Sequence, residues 1–223
     1  MIKVIYEDNH LLVVEKPVNI LSQGDDTNDK DMVNLLKQYV KEKYNKPGNV
    51  YIGLVHRLDR PVGGVMVFAK TSKAASRLSD QVRTKTFKKT YRAVIHGTMN
   101  NESDTLKDYL YKNKKTNMVS VVKKDHKEAK NAELSYKTLS TKGKFSLVEI
   151  DLKTGRPHQI RVQFSSRKHP LFGDQRYGQD VNKVGQQIAL WSHKIEIDHP
   201  TTKERMEFVC EPPQEHPWNL FVK

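Results

Sequence analysis

The residues best suited by type to do chemistry sit in one pentapeptide, His56-Arg57-Leu58-Asp59-Arg60. A single carboxylate lies among three basic side chains, and nearby positive charge favours the ionised form of an acid. The pentapeptide follows an apolar run, Tyr51 to Val55, and precedes Gly63-Gly64 and a second run, Val65 to Ala69. That pattern predicts strand, loop, strand. An ionised Asp on a loop between buried strands can serve as a nucleophile or a general base. The same residues could form a surface ion pair at a turn, which contributes little. His56-x-x-Asp59 alone supplies too few donors for a metal, and the sequence holds no cluster with metal-ligand spacing.

Two more stretches carry chemistry. Arg83 to Arg92 holds five positive charges, no acid, and two interleaved aromatics, Phe87 and Tyr91. Phosphates require charge and unstacked bases require π faces, so this composition suits a single-stranded RNA track. An exposed edge strand kept soluble by lysine would read the same way. The other stretch is Thr154 to Phe164. Pro157 suits the first turn of a helix, and such a helix puts His158, Arg161 and Ser165 on one face with Ile160 and Phe164 on a neighbouring apolar stripe. An Arg beside buried apolar residues needs an acidic or phosphate partner; an exposed helix start with a few basic residues is the plainer alternative.

The elements that must position these groups are legible in part. Lys3 to Glu7 and His10 to Glu15 are β-type runs joined by turn chemistry at Glu7-Asp8-Asn9, and Asn19 tolerates a left-handed backbone. Gly24 to Lys30 reads as a polar loop. Asp31 can cap a helix with Met32, Leu35, Leu36, Tyr39 and Val40 at helical spacing, ended by Asn45 to Gly48. Thr71 or Ser72 can cap a second helix with Ala75, Leu78 and Val82 on one face. Residues 112 to 130 are lysine-rich and read as a basic hairpin or mobile loop. Ala132 to Leu139 and Phe145 to Leu152 read as paired strands, as do Gln187 to Ile197 and Arg205 to Cys210. His169 to Asp174 is turn-rich, and Pro212 onward reads as an extended tail. With no repeat and no Gly/Ser-rich linker, residues 1 to 223 are expected to form a single domain.

Charge narrows the partner. The 39 basic residues against 26 acidic ones leave a formal net charge of +13, with a pI of about 9.6. Such an excess points to a polyanion, nucleic acid first; a membrane surface is second, but no strongly amphipathic basic helix is evident. Cys210 is the only cysteine, so no intramolecular disulfide forms. The first residues lack the apolar core of a signal peptide, and no apolar run approaches membrane-spanning length. A cytoplasmic location is expected.

Four blocks of the sequence, in order, resemble the RNA pseudouridine synthases of the RluA family. They are Tyr6-Glu7-Asp8 with Leu11 to Val14 and Lys16-Pro17; His56 to Arg60 with Gly64 and Ala69-Lys70; Lys89-Thr90-Tyr91-Arg92-Ala93-Val94 with Gly97; and Thr154-Gly155-Arg156-x-His158-Gln159-Ile160-Arg161, followed by His169-Pro170, Gly173-Asp174 and Tyr177-Gly178. The similarity runs from about residue 3 to about residue 213. It implies an α+β fold, a mixed and mainly antiparallel sheet in two halves with a central catalytic cleft. Many relatives carry an N-terminal S4-type RNA-binding domain; this chain starts directly at the catalytic domain, so none is expected.

The resemblance also implies roles. Asp59 matches the catalytic aspartate, Tyr91 the tyrosine that stacks on the target uracil or acts as a base, and Arg161 the arginine that pairs with the aspartate. Arg57 matches the arginine assigned to the space of the flipped nucleotide. With it, His56, Arg60, Lys88, Lys89, Arg156 and His158 form the expected RNA-contacting set. Four stretches depart from the family pattern: Val62-Gly63 stands for Thr-Ser, Asn19 for Gly, Gln163 for His, and Leu21-Ser22-Gln23 for Val-His-Pro. None of them removes the Asp, Tyr or Arg. Isomerising uridine breaks N1–C1′ and forms C5–C1′ without redox change, so neither metal nor nucleotide cofactor is expected. The base must leave the stack to react. The expected partner is ribosomal or transfer RNA, with no membrane, no obligatory protein partner and a monomeric state. A catalytically silent RNA-binding protein of the same fold is disfavoured because Asp59, Tyr91 and Arg161 are all present. A metal-dependent nuclease or phosphatase is disfavoured by the missing ligand cluster.

Overall fold

The structure, a computed structural model, describes residues 2–27 and 29–222. In chain order its strands and helices are β1 (Lys3–Glu7), β2 (Leu11–Lys16), α1 (Met32–Lys43), β3 (Gly53–Leu54), β4 (Gly63–Ala69), α2 (Ser72–Thr84), β5 (Lys88–His96), β6 (Ser103–Lys112), β7 (Val119–Val122), β8 (Lys130–Lys142), β9 (Phe145–Leu152), α3 (Gln159–Ser165), β10 (Leu190–Asp198) and β11 (Arg205–Val209), with a 3₁₀ turn at Trp218–Phe221. Antiparallel strands dominate and helices are few, which is an α+β architecture. By internal contacts the chain divides into two compact units. One is Met1–Lys89 with Ser192–Glu211, the other Thr90–Trp191 with Pro212–Lys223. No helix among the described residues is long and apolar enough to cross a membrane.

In the first unit the strand order is β1-β2-β4-β10-β11, with β3 also on β4. Strand β4 is buried at every position and β2 at all but Glu15, as an unbroken apolar run requires when both faces are covered. The β1–β2 turn closes because Asp8 Oδ1 accepts the backbone N–H groups of His10 and Leu11. Helix α1 begins as expected: Asp31 accepts from the Asn34 N–H, and Met32, Leu36 and Val40 form the buried stripe. Thr71 caps α2 by accepting from the Ala74 N–H. On α2 the expected face of Ala75, Leu78 and Val82 is half-buried to buried, and Ala74 and Gln81 are buried beside it. Buried Gln81 uses both ends of its amide on the end of β10, donating to the Asp198 carbonyl and accepting from the Asp198 N–H.

In the second unit the order is β5-β9-β8-β6-β7. The paired strands expected before and after Thr141 are present as β8 and β9, antiparallel from Leu134↔Leu152 to Lys142↔Phe145. The lysine-rich segment is a hairpin, β6–β7, paired from Tyr109↔Val122 to Lys112↔Val119. Strand β6 itself escapes a sequence reading because only Leu106 and Leu110 are buried along its length. Helix α3 is short. Gln159 to Phe164 are all buried, so the exposed-helix alternative does not hold. Pro157 lies outside α3 rather than in its first turn, and His158, with φ 50°, is the residue from which the helix departs. The tail is not extended to its end, since Trp218 is buried at the start of the 3₁₀ turn.

Candidate active-site residues

Asp59 lies on the loop between β3 and β4, half-buried between exposed Arg57 and Arg60. The loop is held by backbone contacts on both sides of the carboxylate. Ser22 Oγ accepts the Leu58 N–H at 3.0 Å and donates to the Leu58 carbonyl at 2.8 Å. After Asp59, its own carbonyl accepts the Val62 N–H at 2.9 Å, closing a turn. The Lys16 ammonium then donates to the carbonyls of Pro17, Arg60 and Val62 at 3.0, 3.1 and 2.7 Å. Lys16 has no exposed surface at all. Burial pushes its ammonium down to about 7, against the opposing pull of the Asp59 charge. Gly64 at the start of β4 has φ +115°, and a Cβ there would lie 2.2 Å from the Ser192 carbonyl oxygen. Only glycine fits at that point.

His56 departs from the RNA-contacting expectation. Its ring is buried, packs on Phe87 with centroids 5.1 Å apart, and accepts the Val67 N–H on Nε2 at 3.0 Å. Burial, reinforced by the Lys89 charge, pushes its imidazole down to about 3, so it stays neutral and ties the loop to β4. Arg60 is exposed and paired with Asp29 at 2.7 Å.

In the second unit Tyr91 sits on β5 opposite Ile150 of β9, which in turn lies opposite Tyr136 of β8. Residues paired across strands share a face. On that face Tyr136 meets Phe164 of α3, ring centroids 5.6 Å apart, so Tyr91 belongs to the sheet face that α3 covers. Tyr91 is 6% exposed. Arg161 of α3 is 7% exposed, and the acidic partner its burial demands is Asp174, itself 1% exposed. The contact is bidentate, Nε to Oδ2 and Nη2 to Oδ1, both 2.8 Å. The expected common face of His158, Arg161 and Ser165 exists, and its focus is Tyr177. His158 Nδ1 lies 2.7 Å from the Tyr177 hydroxyl, Ser165 Oγ donates to the Tyr177 carbonyl, and the Arg161 guanidinium sits 5.1 Å from the ring centroid. Arg156 donates from Nε to the Asn131 carbonyl at 2.8 Å, binding the α3 approach to β8.

The stretch Arg83 to Arg92 is not one continuous basic face. Arg83 pairs with Asp80 on α2, Phe87 is buried against His56, Lys89 is half-buried, and Arg92 lies 3.8 Å from Glu149. Burial lowers the pKa of Lys89. Lys85 and Lys88 remain exposed. The larger exposed basic surface is the β6–β7 hairpin and the turn after it, where Lys112, Lys114, Lys115, Lys123, Lys124, Lys127 and Lys130 are all exposed. Among the described residues no group of three or more His, Cys, Asp or Glu is placed to hold a metal ion.

Residues 10–166 match the model of the RNA pseudouridylate synthase family. The chain belongs to this family. It is 32% identical over 204 residues to the uncharacterized RNA pseudouridine synthase YhcT of Bacillus subtilis, covering 90% of this chain and 65% of that protein. It is 33% identical over 204 residues to the ribosomal large subunit pseudouridine synthase D of Borreliella burgdorferi, covering 88% and 61%. The chain therefore spans somewhat less than two thirds of the length of these two relatives. In fold it is similar to human RNA pseudouridylate synthase domain containing 4, with a TM-score of 0.80, 22% identity and coverage of 95% of this chain and 89% of that one. The α+β fold expected from the sequence is thus the fold of the pseudouridylate synthases.

Three residues that hold the candidate groups in place were not singled out by the sequence reading: Lys16, Ser22 and Asp174. Lys16-Pro17 closes the first hairpin and belongs to the first of the resembling blocks, with no role attached to the lysine, and Ser22 reads as a departure from the family pattern. No local signal marks a lysine that will be wholly buried. Its burial has a measurable consequence. The folded-state value of about 7 lies below the 10.5 of an unfolded lysine, so between those values the unfolded chain holds the proton more tightly. This group's contribution to stability therefore rises with pH from about 7 to about 10.5 and is constant outside that window. We expect the stability difference between wild type and Lys16→Met, measured by urea unfolding at pH 7 and pH 9.5, to grow with pH by a few kcal/mol at most, on the order set by ~1.4 kcal/mol per pKa unit. A difference independent of pH would mean that Lys16 titrates normally.

Proposed function

We propose that this chain isomerises specific uridines in structured RNA, ribosomal or transfer, to pseudouridine. The observation that carries the proposal is the Asp59 loop within the family's matched region: a carboxylate whose backbone is clamped on either side by Ser22 and Lys16. Such clamping is the preorganisation that a nucleophile or base requires. The reaction breaks N1–C1′ and forms C5–C1′; the C5 proton is lost and N1 gains one, so the product is an isomer and no electrons change hands. Asp59 supplies the carboxylate that attacks the nucleotide or takes its 2′ proton. Tyr91 faces the uracil, Arg161 holds anionic charge, and Arg57 fills the space left by the flipped base. The test is to map pseudouridines in ribosomal and transfer RNA from a strain lacking this gene, and from the same strain complemented with wild type or Asp59→Asn. The expected result is one or a few sites that vanish on deletion and return only with wild type. Identical maps in all strains would overturn the proposal.

RNA must also be held, and we assign much of that grip to the exposed lysines of the β6–β7 hairpin and to Lys88. Neutralised phosphates release counterions, so affinity should fall steeply with salt. Replacing Lys114, Lys115, Lys123 and Lys124 by Ala is expected to raise the Kd and to flatten the slope of log Kd against log salt by up to roughly one unit per lost contact. Turnover on saturating RNA should change little. Equal slopes and affinities for variant and wild type would mean that the hairpin is only a solvated surface.

A further inference from the structure

Resting on the reading of Arg161 as a functional residue, we propose that Asp174 is its positioning residue, which fixes the plane and direction of the guanidinium. Asp174 is itself immobilised. Its Oδ1 accepts not only Arg161 Nη2–H but also the backbone N–H groups of Arg176 and Tyr177, at 3.0 and 3.2 Å. Its own N–H donates to the Leu171 carbonyl, and its carbonyl accepts from the Gly178 N–H and from Asn182 Nδ2. The preceding Gly173 has φ +74°, and a Cβ there would lie 2.2 Å from the Gln187 carbonyl oxygen, so only glycine fits in the turn that presents the carboxylate.

Against this carboxylate the guanidinium has little freedom. Two parallel hydrogen bonds of 2.8 Å fix its plane, and the Tyr177 ring restrains it from one side. Tyr177 is in turn held by His158 and by the Val119 N–H of β7. A guanidinium has five donors in a rigid fork. Asp174 takes the Nε–Nη2 edge, which directs the Nη1–Nη2 edge away from it, and a second carboxylate or a phosphate would be met there. Asp174 thus acts through Arg161, without touching RNA. An amide at position 174 would keep the shape but oppose an NH₂ group to one guanidinium N–H. The planar reference for the arginine would be lost.

The test compares Asp174→Asn with wild type by pseudouridine formation on a substrate RNA identified by mapping. A misplacement of about 1 Å can cost on the order of a hundredfold in rate, so kcat per folded molecule should fall about that far while KM changes little. A purely structural role would lower the melting temperature and the folded fraction but leave kcat per folded molecule intact, and that result would overturn the proposal. Because Asp174→Asn removes a buried carboxylate charge from beside Arg161 and could fail to fold, a second arm removes the arginine instead. Arg161→Ala should regain part of its activity with added guanidinium ion, which the Asp174 carboxylate would seat. Arg161→Ala/Asp174→Asn should regain none; equal rescue of both variants would overturn the proposal. A third readout is independent of turnover. The Arg161 Nε–H resonance, assigned by its loss in Arg161→Lys, should be slow to exchange in wild type and fast in Asp174→Asn. A resonance unchanged by Asp174→Asn overturns the positioning role whether or not the protein modifies RNA, whereas absence of wild-type turnover on every RNA, with the resonance behaving as expected, counts against the functional reading alone.

Discussion

Asp59→Asn is expected to bind substrate RNA with nearly wild-type affinity and to form no detectable pseudouridine, a loss of at least about 10⁴-fold in kcat on the scale seen when a nucleophile or its base is removed. An amide cannot attack carbon as a carboxylate does, and it cannot accept the 2′ proton at neutral pH. The substitution should leave the loop's backbone clamp in place, because Ser22 and Lys16 hold main-chain atoms of Leu58, Arg60 and Val62, and the Asp59 carbonyl closes the turn on Val62. One secondary effect follows from the Lys16 site. Loss of the Asp59 charge removes the pull that keeps the buried ammonium protonated, so the lysine titrates still lower and the loop clamp loses a proton more readily. RNA binding and turnover should be measured on the same preparation, with circular dichroism as a check on folding. Turnover by Asp59→Asn at a rate near wild type would remove Asp59 from the chemistry.

Tyr91 has the second large effect, and two substitutions separate its two possible contributions. The ring belongs to a buried sheet face shared with Ile150 and Tyr136. Tyr91→Phe keeps that packing and deletes only the hydroxyl. If the hydroxyl moves a proton, Tyr91→Phe should bind RNA normally and turn over about 10²–10⁴-fold more slowly, the usual worth of a positioned acid or base. If the ring alone matters, as a platform for an unstacked uracil, Tyr91→Phe should be nearly as active as wild type while Tyr91→Ala is inactive. Tyr91→Ala also empties a buried site, which costs about 3–5 kcal/mol for a large aromatic, so its activity must be read per folded molecule. Wild-type kcat per folded molecule in both variants would exclude either role.

Much of the frame was legible in the order of residues. Caps act over three residues, so Asp31 and Thr71 announce α1 and α2 by the N–H groups of Asn34 and Ala74 that they accept. Apolar runs announce β2, β4, β8 and β9, because burial on one or both faces is a local demand on residue type. The motif blocks point to Asp59, Tyr91 and Arg161, and the matched family agrees with the reaction class they imply. What the order of residues could not supply is the partner of each buried charge. Lys16 closes on carbonyls 44 and 46 positions away, and Arg161 on a carboxylate 13 positions further on. His56 looks like a surface base in its pentapeptide but accepts from Val67, 11 residues later, and is neutral. Phe87 looks like a platform for bases but packs on that same histidine. Local pattern determines which segments are strands and helices; long-range chain closure decides which polar groups leave water together, and a buried charge persists only where that closure delivers its partner.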